Sequence, residues 1–570
     1  DGVIVGEVLE VAQHPNADRL SVCQVSAGEG AALEIVCGAP NVIAGMKTPL
    51  ARPGVTLPNG LKLRKSKIRG VVSNGMLCSA SELGLGEDSD GIMHLPDDAP
   101  VGGDFASFLG LPDTVIDVDL TPNRGDCFSI LGIARDVAAL SGVPLKSADT
   151  AGPDADTDRV QRVELVEPDA CPTFAGRVIE GIDPSARSPL WMVERLRRAG
   201  LREIHPVVDV TNYVMLELGQ PLHGYDLDLI QGSIRPRRAS GGETLTLLDE
   251  KQITLSAGTI AITDDSGVIG LAGIMGGMST AVTETTVNVF FEGAFWPQEC
   301  MAGQARSYGM HTDASMRFER GVDPAGQARA VNRATGLLLE IAGGRAGPLV
   351  VESSEGHQPA RAAVRLRRSR LALLLGVAIP DADVASILEG LSLSITACAD
   401  GWLVTPPSHR FDIAIEADLI EEVARIYGYD RIPEATAIAE TPLEIVTETR
   451  VPDDRAASTL VARDYEEAIT YSFIDKAADA LVSGKESALI LSNPISSEMS
   501  VMRSSLIPGL LQAASTNLAR QQDRVRLFEI GKSFHGTLEA HYEVVRIAAV
   551  VAGPALPEPV SYTHLRAHET

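Results

Sequence analysis

Between residues 305 and 324 the chain reads ARSYGMHTDASMRFERGVDP, and His311, Thr312, Asp313, Ser315, Arg317, Glu319, Arg320 and Asp323 crowd into that one run. Solvated loops are polar too, yet they are usually built from Ser, Gly, Asn and Pro without so many paired acids and bases. Here donors and acceptors alternate with Gly309, Ala314 and Gly321, small residues that let a backbone or a ligand come close. Such a run suits either a loop stitched by Arg–carboxylate pairs or the rim of a site. A second candidate lies just upstream, in NVFFEGAFW at residues 288–296. A strand period puts Phe291, Gly293 and Phe295 on one face and Phe290, Glu292 and Ala294 on the other. A carboxylate flanked by aromatics on an otherwise apolar strand is costly unless something pairs with it. Glu292 is therefore an exposed edge residue, the partner of an arginine such as Arg306 or Arg317, or a group kept for chemistry.

Two more clusters carry charge in a pattern. In SHRFDIAIEADLIEEVARIYGYD, residues 408–430, Asp418, Glu421 and Glu422 fall at i, i+3 and i+4 of one helical face, with Asp412 just upstream. Like charges at that spacing repel unless a cation sits among them. Arg425 is placed to pair with Glu421 and Glu422 as ordinary helix neighbours. A bound cation is the alternative, and all-oxygen ligands suit Mg2+ and not zinc. In LKLRKSKIRG, residues 61–70, Lys62, Arg64, Lys65, Lys67 and Arg69 alternate with apolar positions. A strand with one basic face tracks phosphates or merely protects a solvated edge.

The elements that must hold these groups divide a long chain. Its 570 residues suggest roughly four domains. A hydrophobic content of 45% and a charged content of 22% are ordinary for globular protein, and aromatics at 4% point to aliphatic cores. No apolar run approaches the roughly 20 residues of a membrane helix and no secretory signal opens the chain, so no membrane partner is expected. The seven cysteines are scattered and never spaced CxxC, which fits a reducing cytoplasm and not a disulfide framework or zinc ribbon. A net charge of −27 opposes non-specific nucleic-acid binding over the whole surface, so any RNA contact must use local basic patches.

Periodicity gives the chain a multidomain α+β class. Short β-branched runs at 3–11, 20–25, 33–37 and 48–50 place a small barrel in residues 1–110, followed by a connecting segment at 111–169. An α+β unit at 170–346 has a helix at 189–199, a strand-like start to HPVVDVTNYVMLELGQPLH (205–223), and strands at 245–248, 259–263 and 288–296. It also has an LAGIMGG turn at 271–277 and a helix at 327–342 closed by Gly343 and Gly344. A Pro/Ser/Gly-rich linker is expected at 347–360. Residues 361–436 alternate helices (368–375, 383–391) with a hairpin (393–405), which suggests a winged-helix-like module. Residues 437–560 read as strand, helix, strand at 465–473, 492–511 and 525–534. The tail SYTHLRAHET, 561–570, fits neither period and reads as foreign.

HPNADRLSVCQV (14–25), IVCGAPNV (35–42) and SNGMLCSASELGL (73–85) resemble the oligonucleotide-binding (OB-fold) barrel of tRNA-binding proteins. With DLTPNRGDCFSILGIARDVA (119–138), the resemblance narrows to the bacterial phenylalanyl-tRNA synthetase beta-subunit family and runs to about residue 550, truncated at both ends. It implies an OB-fold tRNA-binding domain, a B3/B4 editing domain at 170–346, a winged-helix-like B5 domain, and a catalytically inactive class II synthetase-like domain. It also implies hydrolysis of tyrosine wrongly attached to tRNA(Phe). A hydrophobic pocket for phenylalanine cannot strongly reject a ring that adds only a hydroxyl, so a second site must demand that hydroxyl. Glu292 becomes the acceptor for the tyrosine hydroxyl, since bound phenylalanine would leave the carboxylate unpaired.

By motif match His223 (GQPLH), Asn212 (DVTN), Gly276 (LAGIMGG), Thr312 and Ala314 (HTDA) line the same pocket. Gly276 and Ala314 would give the ring room, and His223 and Thr312 would position water or the ester, His223 either as a general base or by positioning alone. No Ser-His-Asp or nucleophilic-cysteine arrangement with a supporting motif is visible, so water attack without a covalent intermediate is expected. The resemblance further implies a structural Mg2+ at Asp412, Asp418, Glu421 and Glu422, shared with an alpha subunit. ATP chemistry belongs to that subunit, in an (αβ)2 heterotetramer that binds tRNA(Phe). Lys62, Arg64, Lys65 and Lys67 are the expected tRNA contacts, while Arg503 and Arg520 look like remnants that serve packing. A rival role is a tRNA-binding and assembly subunit whose editing pocket is inactive.

Overall fold

The structure, a computed structural model, describes residues 2–554 apart from 88, 147–148, 435, 437–438, 440, 442–448, 450 and 485–488; the tail read as foreign lies outside the described residues. The chain forms two compact units, residues 1–435 and 436–570.

In the first unit, β1 (Val3–Gln13), β2 (Ser21–Ser26), β3 (Leu33–Cys37) and β4 (Lys47–Ala51) stand where the β-branched runs place them. After β5 (Ser66–Ile68) and β6 (Val71–Ser73), β7 (Met76–Leu77) completes a sheet of order β3-β2-β1-β4-β7. The sheet curls until it almost closes: Val36 N–H donates to the Ser73 hydroxyl and Asn74 N–H to the Glu34 carbonyl. Val8, Cys23, Val25, Ile35 and Leu50 fill its interior, as a period of two on curved strands requires. The basic stretch 61–70 is not one strand. Only Ser66–Ile68 pairs, with β6, while Lys62 meets Thr56 in an isolated bridge. Leu63 and Ile68 are only half-buried, so little apolar surface holds a longer strand there.

Helix α1 (Ile130–Ser141) is capped by Ser129 and closed by Gly142 in the left-handed region. Then come β8 (Thr173–Glu180), α2 (Leu190–Arg198), α3 (Pro206–Leu218) and β9 (His223–Asp226). The strand-like start of residues 205–223 is helical. The His205 side chain accepts from Val207 N–H, Pro206 opens the first turn, and Gly219 ends the helix at φ +79°. Val207, Val210 and Val214 are spaced for one helix face, and burying that face overrides their β preference.

Next follow β10 (Arg235–Arg238), β11 (Thr244–Thr246), β12 (Gln252–Thr254), β13 (Ile260–Asp264), β14 (Gly267–Leu271), β15 (Met275–Gly276), β16 (Asn288–Phe295), α4 (Asp313–Arg320) and α5 (Gln327–Ala342). With β17 (Arg345–Ala346) and β18 (Val350–Ser353), two sheets result: β10-β13-β14-β15, and β17-β8-β16-β9 with β18 also on β8. Residues 347–360, read as linker, thus contribute an edge strand, and buried Arg177 of β8 holds the Gly347 carbonyl at 2.7 Å. Alternation along β16 splits two cores: Val289 and Phe291 join the helical side, while Phe290 and Ala294 join the side of the β10-β13-β14-β15 sheet.

The first unit ends with β19 (Val364–Arg367), α6 (Arg368–Leu375), α7 (Asp381–Gly390), β20 (Ser394–Cys398), β21 (Gly401–Thr405) and α8 (Glu416–Tyr427). The strands order β19-β21-β20 around Leu366, Val384, Leu388, Val404, Leu419 and Val423.

The second unit has β22 (Glu466–Glu467), β23 (Phe473–Ile474), β24 (Val501–Met502), α9 (Ile507–Ala519), β25 (Val525–Gly536) and β26 (His541–Ala552). The helix expected at 492–511 begins only at Ile507, with Pro508 in its first turn, because residues 501–502 are drawn into pairing with β23. The strand expected at 465–473 is reduced to the short β22 and the start of β23. Arg503 is buried, 2.7 Å from Glu529, and also donates to the Lys532 carbonyl. Among the described residues no helix is long and apolar enough to cross a membrane.

Candidate active site

The core on the Glu292 face of β16 is not fully filled. A cavity of about 320 Å³ opens there, lined by His223, Glu292, Thr312, Asn212, Gly276 and Ala314, which α3, β9, β15, β16 and the start of α4 bring together. Glu292 is 7% exposed and stands opposite His223 in the β16–β9 register. Neither Arg306 nor Arg317 pairs with it. Arg317 binds Asp313 at 3.2 Å and the Phe128 carbonyl at 3.1 Å. The partner is Tyr225, whose hydroxyl donates to Glu292 Oε2 at 2.5 Å. Burial pushes the Glu292 carboxyl up to about 7, and the bond from Tyr225 offsets only part of that rise.

Tyr225 is absent from the candidates read from sequence. The signal was nonetheless present, since it lies two residues beyond His223 and therefore on the same strand face.

His223 is half-buried, but its Nε2 is sealed from solvent without a hydrogen-bond partner. Its ring stands edge-on to Tyr225 at 4.4 Å, and burial lowers its pKa to about 4. The imidazole is thus neutral near pH 7, available to orient a hydroxyl or water but weak as a base. Gly276 makes room for the His223 ring: a Cβ there would lie 2.3 Å from His223 Cε1. The imidazole itself occupies the space over the glycine. Gly276→Ala should therefore displace the His223 ring and lower any hydrolysis in this cavity by roughly tenfold or more, following a small misplacement of a reacting group. Single-turnover hydrolysis rates check this, with unchanged tRNA binding as the control.

Thr312 caps α4. Its hydroxyl accepts Ser315 N–H at 3.1 Å and donates to the Ile274 carbonyl at 3.1 Å, so its proton is committed and only acceptor capacity remains. Asn212 makes no side-chain hydrogen bond to protein among the described residues, which leaves its amide for a ligand. Much of the run 305–324 is structural. Arg317 and Arg320 lie over the Phe128 ring at 5.6 and 4.8 Å, and Arg320 donates to the Leu120 carbonyl. Within that run Arg317 pairs with Asp313, and Thr312 and Ala314 line the cavity.

Residues 170–343 match the B3/4 domain family, 3–104 a tRNA binding domain, 364–429 the tRNA synthetase B5 domain, and 432–567 the phenylalanyl tRNA synthetase beta chain CLM domain. The chain is 52% identical over 558 residues to the phenylalanine–tRNA ligase beta subunit of Pseudomonas syringae pv. syringae (strain B728a), covering 98% of this chain and 70% of that one. It belongs to the phenylalanine–tRNA ligase beta-subunit family. The beta subunit of Methylococcus capsulatus is 50% identical over 560 residues, with the same coverage. Family membership makes the chain part of an aminoacyl-tRNA synthetase, a ligase of protein biosynthesis. An N-terminal fragment of the Pyrococcus horikoshii phenylalanyl-tRNA synthetase beta-subunit matches 54% of this chain and 85% of its own length at 17% identity and a TM-score of 0.28.

The four carboxylates expected to hold Mg2+ do not converge. Arg410 forks onto Asp412 at 2.9 and 2.7 Å and reaches Glu422 at 2.6 Å. Arg425 binds Glu422 at 2.7 Å, the ordinary helix pair, and also Asp136 at 2.8 Å. Burial raises the Glu422 carboxyl, but its bonds from Arg425 and Arg410 outweigh that and hold it at about 2. Asp418 accepts Ala414 and Ile415 N–H at 2.8 Å, capping α8, and Glu421 is exposed. Among the described residues no group of three or more His, Cys, Asp or Glu is arranged to hold a metal. Guanidinium groups fill the place a cation would take, so these residues as arranged do not fit a magnesium site. Lys62, Arg64, Lys65 and Lys67 are exposed, and among the described residues none forms an ion pair.

Proposed function

We propose that the cavity on β16 hydrolyses tyrosine from mischarged tRNA(Phe). The Tyr225–Glu292 hydrogen bond carries this reading: a buried carboxylate in the cavity wall already accepts a phenol. A tyrosyl ring gives Glu292 a second donor, whereas a phenylalanyl ring buries the carboxylate without one. That asymmetry is what separates the two esters. Asn212 and the neutral His223 are placed to orient the terminal ribose or the attacking water, and the acceptor side of Thr312 to hold that water. With His223 at about 4, its neutral form persists down to that pH, so no activity loss near pH 6.5 is expected from it.

The decisive experiment uses this chain purified with an alpha subunit, given tyrosyl- and phenylalanyl-tRNA(Phe) side by side. Rapid release of tyrosine alone supports editing. Release of neither by an intact, tRNA-binding complex returns the chain to an assembly role.

The rest of the chain serves binding and scaffolding in this reading. The nearly closed sheet acts as an OB-fold tRNA surface, and the 361–436 module as a winged-helix-like B5 domain. The 437–560 segment acts as an inactive class II synthetase-like domain against the alpha subunit, which carries the ATP- and Mg2+-dependent chemistry of an (αβ)2 heterotetramer. The unpaired cations of residues 62–67 support local phosphate contact on a chain of net charge −27. Replacing Lys62, Arg64 and Lys65 together with Ala should weaken tRNA binding and flatten the slope of log K against log salt by roughly 2. An unchanged slope in a filter-binding titration returns the stretch to a solubility role.

A further inference from the structure

We propose that Tyr225 is a specificity-determining positioning residue, a resident phenol that holds Glu292 by one carboxylate oxygen so that the other accepts the hydroxyl of a tyrosyl ester. The inference rests on the editing reading and extends it to a residue outside the pocket set assembled from sequence. Tyr225 is 1% exposed on β9, and its hydroxyl donates to Oε2 only. Among the described residues Oε1 of the cavity-lining carboxylate has no protein partner.

A carboxylate inside an apolar wall is free to rotate or to take up a proton unless a donor fixes it. The groups facing this one give no other help. His223 and Tyr225 come from β9, the Cys171 thiol from just before β8, and Asp264 of β13 acts on Tyr225. From α4, Asp313 lines the same cavity but is tied to Arg317. No cation lies within the set, so the phenol is the donor that favours the ionised, oriented carboxylate. Phe290 tilts against the Tyr225 ring at 6.3 Å and His223 stands edge-on to it, which fixes where the hydroxyl points.

Removing that hydroxyl while keeping the ring separates orientation from packing. The test compares wild type and Tyr225→Phe, each purified with an alpha subunit, in deacylation of tyrosyl- and phenylalanyl-tRNA(Phe) from pH 5.5 to 9. Aminoacylation and tRNA binding confirm an intact complex. The expected result is a tyrosine-over-phenylalanine ratio that falls roughly fivefold at pH 7, with its acid limb moved up by about one pH unit. The two proteins should converge near pH 9, where Glu292 is ionised in both. A variant with the wild-type ratio and the wild-type limb overturns the role of Tyr225 while leaving editing in place. A wild-type complex that releases both amino acids equally overturns the editing reading itself, and the inference with it.

Discussion

Glu292→Gln is expected to abolish most of the preference for tyrosyl over phenylalanyl ester while making the protein more stable above neutral pH. The selectivity part follows from charge. A hydrogen bond to an ionised acceptor is worth about 1.5–3 kcal/mol, so the ratio of the two deacylation rates should fall roughly 10- to 100-fold. The stability part follows from linkage. Burial raises the carboxyl from its ordinary value of 4.5 to about 7, so between those values the folded protein binds more protons than the unfolded chain. Stability therefore falls as pH rises through that window, by something on the order of 3 kcal/mol once Glu292 is fully ionised. Glutamine carries no such cost. At pH 8 the variant should unfold later than wild type, and at pH 4, where both side chains are neutral, the two should coincide. Thermal unfolding of both complexes at the two pH values checks this, together with paired deacylation assays. A variant less stable than wild type at pH 8 would refute the net cost of ionising this buried carboxylate. A variant with wild-type selectivity would remove Glu292 from recognition. The expected trade of stability for discrimination is what a group retained for chemistry produces.

How far the sequence carried this reading depends on whether the relevant forces are local. Strands β1 to β4 and helix α5 were legible because their apolar periods agree with their punctuation. For α5, sixteen residues of helical pattern end at Gly343 and Gly344. The face assignment along β16 was legible for the same reason, since a period of two admits only two choices and Glu292 had to share a side with Phe290. Helix α3 misled because Val207, Val208, Val210 and Thr211 favour strands when read singly, whereas the cap at His205 and the Pro206 start decide the backbone.

The site was legible in its members and not in their partners. The family resemblance pointed to His223, Gly276, Glu292 and Thr312, and all four line one cavity. That Gly276 admits the His223 imidazole depends on a contact between β15 and β9 that no local pattern encodes. The same holds for the carboxylates near α8. Helix spacing identified Arg425 as a partner of Glu422, but Arg410 lies in the loop before the helix, where no period applies.

That loop arginine carries the second large effect. Arg410→Met should destabilise the first unit by about 3–5 kcal/mol, because it removes the cation shared by two buried carboxylates while keeping the side chain's apolar bulk. Arg410 is 4% exposed and Glu422 2%, so water cannot take over the lost bonds. Arg425 still holds Glu422, but among the described residues Asp412 has no second arginine and would face Asp126 and Glu422 with less compensation. The loss should depend on pH with a definite sign. Glu422 sits at about 2 in the folded protein against 4.5 ordinarily, so its pairing stabilises wild type above that ordinary value and the contribution fades as pH falls toward 2. Wild type and variant should therefore differ most near pH 7 and converge in acid. Magnesium distinguishes the two accounts of the cluster. If guanidinium groups fill the cation's place, millimolar Mg2+ leaves the wild-type unfolding midpoint unchanged and partly restores Arg410→Met, whose vacated carboxylates are then open to a divalent ion. If instead the carboxylates serve a metal, Mg2+ raises the wild-type midpoint and the arginine is dispensable. A stable Arg410→Met with a magnesium-dependent wild type would overturn the ion-pair account.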